Sequence, residues 1–173
     1  MVEVINVYKQ ETPEMKFVGK KYLESDRKDG GFGYKWGEWF DNNWFQDLEE
    51  KVTDSWLKQL EDSDAYVGMM RWKEGEEFQY WIGMLLPLDT NIPEGFESVD
   101  IEASNIGVCW LKGKEEEIYC KEDKCAAKLD ENGMKIISDK DGAYWFFERY
   151  GCPRFTSQDE EGNIVLDICH FVE

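Results

Sequence analysis

The run Lys16-Phe17-Val18-Gly19-Lys20-Lys21-Tyr22 has the make-up of a strand, and the polar, glycine-rich bend from Ser25 to Gly33 ends it. Trp36, Phe40, Trp44 and Leu48 then recur every four residues, with Trp39 and Phe45 beside them. That spacing predicts one or two helical segments laying an aromatic stripe on a sheet, with a break at Asn42-Asn43. Two apolar runs, Tyr66 to Trp72 and Phe78 to Leu86, flank the charged loop 73–77 and predict a hairpin. Pro87 and Pro93 punctuate the connector that follows, where strand pairing would lose backbone donors.

The second half repeats this order. A strand is expected over 104–111, a helix from about Glu115 to Leu129, and strands over 142–150 and 164–171. Glu115, Glu116 and Glu117 would sit at the helix start, where negative side chains suit the exposed amide donors. The hairpin tips 73–77 and 158–163 correspond in position and acidity. The expectation is an α+β fold: duplicated β-α-β-β units forming an antiparallel sheet, helices packed on it and a ligand pocket at the centre. One domain would cover 1–173, with pseudo-repeats at about 14–88 and 97–173.

Charge narrows the partners. With 38 acidic and 20 basic side chains the net charge is −18, which opposes the phosphate contacts that carry nucleic-acid affinity, so direct binding of DNA or RNA is not expected. Eight Trp, eight Tyr and ten Phe supply enough burial to offset chain entropy, unlike a disordered acidic chain. The longest apolar run, 80–86, is far short of the roughly 20 residues that cross a bilayer, and no basic segment followed by an apolar core opens the chain. A cytoplasmic protein, a monomer or homodimer, is expected.

Five cysteines, Cys109, Cys120, Cys125, Cys152 and Cys169, form no Cys-x-x-Cys pair, which argues against a disulfide framework and a zinc site. Cys120 and Cys125 are read as packing residues on the second helix, and His170, the one histidine, has no partner nearby in the chain. No phosphate loop occurs, since Gly30-Gly31-Phe32-Gly33 lacks the lysine and spacing of one, and the acidic hairpin tips lack a calcium-loop pattern. Neither a cofactor nor a metal is expected.

The segment Tyr144-Trp145-Phe146-Phe147-Glu148-Arg149-Tyr150 carries the candidate chemistry. As a strand it places Tyr144, Phe146, Glu148 and Tyr150 on one face and Trp145, Phe147 and Arg149 on the other. A carboxylate among rings, if buried unpaired, has a raised pKa or requires a cation, and such a setting suits a bulky organic cation through charge pairing and cation–π attraction. The competing reading puts Glu148 at an exposed edge, paired with a lysine or in the neighbourhood of Arg149. Trp36 and Trp39 on the first helix, Tyr80 and Trp81 on the hairpin and Trp110 on the central strand are candidates for the same cavity wall, each also able to serve as plain core.

In order along the chain, Lys16-Phe17-Val18-Gly19-Lys20, Gly31-Phe32-Gly33-Tyr34-Lys35-Trp36, Tyr66-Val67-Gly68-Met69, Phe78-Gln79-Tyr80-Trp81-Ile82-Gly83, Pro93-Glu94-Gly95-Phe96, Ile101-Glu102-Ala103-Ser104 and Phe147-Glu148-Arg149-Tyr150 resemble the GyrI-like small-molecule-binding domain family, over residues 14–173. Its members include effector domains of multidrug-responsive transcription regulators. The resemblance implies two β-α-β-β repeats around a pocket for hydrophobic, often cationic, aromatic compounds, with Glu148 at its floor. It also implies a stand-alone member, because the chain has no room for a helix-turn-helix reader beside this domain. Glu102 and Asn105 depart from the apolar or tyrosine residues usual on the central strand.

Three readings follow. The leading one is a binding protein for hydrophobic cations that uses Glu148, Tyr144, Phe146, Trp36, Trp39, Tyr80 and Trp110. The second, implied by stand-alone relatives, is a hydrolase that opens the cyclopropane ring of DNA-alkylating natural products, with Glu148 as acid–base group and Tyr80 or Tyr150 assisting. The third is a gyrase-inhibitor-like protein-interaction module.

Overall fold

Strand β2 (Met15–Leu23) alternates between two environments, Phe17 entering one apolar cluster and Val18 another, as a strand buried on both faces must. The computed structural model describes residues 1–173 and contains eight strands and four helices. Besides β2 these are β1 (Glu3–Thr12), α1 (Gly33–Asp41), α2 (Trp44–Glu49), α3 (Asp54–Gln59), β3 (Tyr66–Trp72), β4 (Gln79–Pro87), β5 (Glu97–Ile101), β6 (Ser104–Gly113), α4 (Glu122–Glu131), β7 (Tyr144–Tyr150) and β8 (Ile164–Val172). All strands join one antiparallel sheet in the order β1-β6-β8-β7-β3-β4-β2-β5, which is the α+β architecture expected. No helix is long and apolar enough to cross a membrane.

The order is symmetrical about the central β3–β7 pair, with β4 and β8 outside it, then β2 and β6. Each edge strand belongs in sequence to the other side: β1 precedes β2 but pairs with β6, and β5 precedes β6 but pairs with β2. Neither edge strand was expected from periodicity. In β1 the register shifts between Val4 and Asn6, so the inward apolar side chains pass from Val2 and Val4 to Val7 and the two-residue period is lost.

On one face of the sheet α1 and α2 bring Trp39, Phe45 and Leu48 down on Val18, Ile82 and Met84, while α4 brings Cys125 onto Cys109, Leu111 and Ile168. The opposite face is covered by α3, whose Trp56 joins Phe17, Val67, Met69, Val108, Phe147 and Phe171. Thr53 caps α3 by accepting from the Trp56 amide at 3.1 Å. The break at Asn42-Asn43 is present, Asn43 lying in the left-handed region at φ 55°.

The second helix departs from expectation. Glu115–Glu117 form a short 3-10 turn, Cys120 adopts φ 60°, and α4 begins only at Glu122. A left-handed residue cannot sit inside a right-handed helix, so the acidic triplet precedes the helix without opening it. Cys120 is therefore exposed ahead of α4, and of the pair Cys120 and Cys125 only Cys125 is a packing residue. All five cysteines are free thiols.

Candidate ligand-binding site

Because α1–α2 cover one half of the sheet face and α4 the other, the central strands β3 and β7 lie between the two helical layers. Over them opens a cavity of 1260 Å³. Its floor follows from strand alternation. Register pairs Tyr66 with Tyr150, Gly68 with Glu148 and Met70 with Phe146, and all of these side chains except the glycine's line the cavity. Tyr80 joins from β4, opposite Met70, and Trp36 descends from α1.

The aromatic wall is tied together by specific contacts. The Trp36 indole donates to the Tyr80 hydroxyl at 2.9 Å, and Phe32 stacks flat on the Tyr80 ring at 4.4 Å. Trp36 meets Tyr150 edge-on at 5.0 Å, and Tyr150 in turn meets Phe155 at 4.7 Å. Gly68 makes this possible, since a β-carbon there would lie 2.6 Å from the Tyr80 hydroxyl and 3.3 Å from the Trp36 ring. Gly68→Ala is expected to break the Trp36–Tyr80 hydrogen bond and cost about 1–3 kcal/mol by overpacking, read by urea denaturation. A variant of wild-type stability would show that the two rings are free to move apart.

Glu148 is the one buried carboxylate on this floor, 7% exposed. One oxygen, Oε2, accepts from the Tyr150 hydroxyl at 3.1 Å, while no protein group donates to Oε1 and no cationic side chain pairs with the residue. The neighbouring Arg149 gives it no charge partner. Strand alternation sends Arg149 to the opposite face, where its Nε donates to Asp167 at 2.9 Å. Burial, and after it the charge of Glu122, push the Glu148 pKa up to about 8 against the lowering effect of the Tyr150 hydrogen bond. Burial and then the charge of Glu148 also raise the Tyr80 phenol, which stays protonated.

Of the residues singled out in the sequence, Trp36, Tyr80, Phe146, Glu148 and Tyr150 meet at the cavity. Four lie elsewhere. Trp39 is fully buried against the sheet, donating to the Tyr22 hydroxyl at 3.0 Å, because α1 turns Trp36 and Phe40 to the cavity and Trp39 to the core. Trp110 is on the other face, edge-on to Tyr8 and under the Arg154 guanidinium. Tyr144 shares the face of Glu148 but sits at the strand end beside Trp72, 39% exposed. Trp81 also faces away, against Phe17. Phe32, Tyr119, Glu122 and Phe155 line the cavity unforeseen. An aromatic held between two glycines, as Phe32 is between Gly31 and Gly33, was the one available signal.

No protein-family model and no curated protein matches the sequence. Solved structures do. SAV2435, in a structure bound to tetraphenylphosphonium, aligns with a TM-score of 0.63 at 13% identity over 98% of this chain and 94% of its own. The fold is shared. The C-terminal domain of EcmrR aligns at 0.56 with 12% identity, over 97% of both chains. An integron cassette protein from the mobile metagenome of Vibrio cholerae aligns at 0.54 with 12% identity, over 99% of both. At such identities the likeness is one of architecture, and the chemistry rests on this chain's own cavity.

Proposed function

We propose that this protein is a small-molecule-binding domain of the GyrI-like kind, which takes hydrophobic organic cations into the cavity above β3 and β7. The observation that carries the reading is Glu148: a carboxylate only 7% exposed, without a cationic partner, facing a space walled by Trp36, Tyr80, Phe146 and Tyr150. A lipophilic cation would supply the missing charge and stack on the rings, and the aromatic wall would contribute area that a hydrated metal ion cannot use. No cluster of His, Cys, Asp and Glu able to hold a metal ion is present. The ligand-bound state of SAV2435 supports the reading by analogy of fold.

Trp36 makes the test direct, because a bound cation would change its fluorescence. Tetraphenylphosphonium is expected to quench the protein's emission saturably at micromolar concentration. Neutral triphenylphosphine oxide, with three of the same rings, should bind at least about tenfold more weakly, the equivalent of roughly 1.4 kcal/mol of charge recognition. Equal affinity for the two would remove charge from the mechanism, and no saturable binding of either would remove the function.

A further inference from the structure

Glu148 is not the only acidic group in the cavity wall. Seven carboxylates line it, those of Asp29, Glu49, Asp64, Glu115, Glu122, Asp123 and Glu148, against one guanidinium, that of Arg27. Arg27 is engaged outside, donating from Nε to Glu24 at 2.7 Å and from a terminal nitrogen to the same carboxylate at 3.0 Å. Five of the seven are exposed, where water screens them. Two are drawn away from solvent: Glu148 on the floor and Glu122, half-buried at the first turn of α4. Glu122 has no ion pair and no side-chain hydrogen bond to another residue, and burial raises its pKa. Both side chains line the same cavity, Glu148 on its floor and Glu122 on the wall formed by the start of α4. A single cation beside Glu148 would leave this second carboxylate desolvated and unmatched, which costs free energy whether it stays charged or takes up a proton.

Volume points the same way. At 1260 Å³ the cavity exceeds the roughly 300–1,000 Å³ typical of sites for one drug-sized ligand. An elongated molecule can therefore reach from the floor to α4.

We infer that the cavity is built for a dication, an aromatic cation bearing a second positive centre, with Glu148 holding the aromatic end and Glu122 holding the other. Glu122 is thereby a specificity-determining residue, and the inference rests on the cation-binding function proposed above. A metal does not satisfy the same pair, since one carboxylate on the sheet floor and one on α4, without a third ligand, form no coordination cluster.

Ethidium and propidium provide the test, because they share the phenanthridinium ring system and propidium adds a quaternary ammonium on a short arm. Both are titrated by fluorescence at 150 mM salt, where screening over about 8 Å limits the contribution of the net charge of −18. Propidium is expected to bind the wild type about tenfold more tightly than ethidium. Glu122→Gln should bring that ratio to about one, and Glu148→Gln should weaken both dyes. Asp130→Asn, an equal change of charge on the exposed surface of α4 outside the cavity, should keep the tenfold ratio. Circular dichroism and thermal melting establish that each variant is folded, and Glu122→Ala repeats the test should the glutamine variant melt early. Equal affinities in the wild type, a ratio that survives loss of Glu122, or two ethidium ions per chain with no propidium preference would each overturn the inference and leave the binding function standing. Absence of ethidium and propidium binding alike would overturn both.

Discussion

Replacing Glu148 by glutamine is expected to cut the affinity for tetraphenylphosphonium by about 30-fold or more at pH 8.5, because removing one partner of a buried charge pair costs about 2–5 kcal/mol. The pH dependence identifies the group. In the free protein Glu148 keeps its proton up to about pH 8, and a cation must displace that proton to gain the charge. Wild-type affinity should therefore rise with pH, by up to about tenfold per unit, and level off above about pH 8. In the glutamine variant this rise should vanish. Stability moves in the opposite sense. The folded pKa lies above the ordinary 4.5, so between about pH 4.5 and 8 the unfolded chain releases a proton that the folded chain retains. Stability falls as pH rises through that window, and the whole penalty is present above it. Glu148→Gln should match the wild type near pH 4 and exceed it at pH 9 by on the order of 3–5 kcal/mol in urea denaturation. A wild-type affinity that is flat in pH, or a variant no more stable at pH 9, would place this carboxyl in contact with water.

The opposite sheet face carries the second large effect. Asp167 on β8 is fully buried and accepts from Arg149 at 2.9 Å and from Arg154 at 2.6 and 3.1 Å. Arg149 also donates to Gln10 and Tyr8 of β1, at 3.0 and 3.2 Å, and both arginines reach Asp62 ahead of β3. This network ties the β1 edge to the centre of the sheet. Asp167→Ala would leave Arg149, 2% exposed, without its main counter-charge, and a loss of about 3–5 kcal/mol is expected. Adding Arg149→Met should recover part of it, since removing both charges is milder than stranding one. A loss below about 1 kcal/mol in the single variant would mean that water reaches the guanidinium.

The two networks explain why one strand carries both the candidate site and the framework. Glu148 and Arg149 are adjacent in sequence yet face opposite sides, and that separation keeps the arginine from neutralising the glutamate. The order of residues along β7 is enough to show it, because side-chain direction in a strand has a period of two. The hairpin of β3 and β4, the aromatic stripe of α1 and α2, and the run of β7 were legible for a similar reason, each being a local pattern that matches its element.

What periodicity could not supply was every feature set by distant contacts. β1 escaped notice because its register shift inverts the alternation, and β5 because a short edge strand beside two prolines carries little pattern. Trp36 and Trp39 both lie on the helical stripe, and only the rotation of α1 against β2 and β4 sends one to the cavity and buries the other. Trp110 and Tyr144 were misplaced by sheet face and by position along the strand. Glu122 was invisible as a partner of Glu148, since 26 residues of chain separate them and the helix that delivers it begins later than its acidic prelude suggested. The sequence alone therefore determined the fold class and the two-faced character of β7, with Glu148 on one face and Arg149 on the other, and left open whether that carboxylate is buried or sits at an exposed edge. Tertiary structure decided which rings surround that carboxylate and which second charge stands near it, because strand and helix periods specify directions within an element, whereas a cavity is set by how separate elements are turned and spaced against one another.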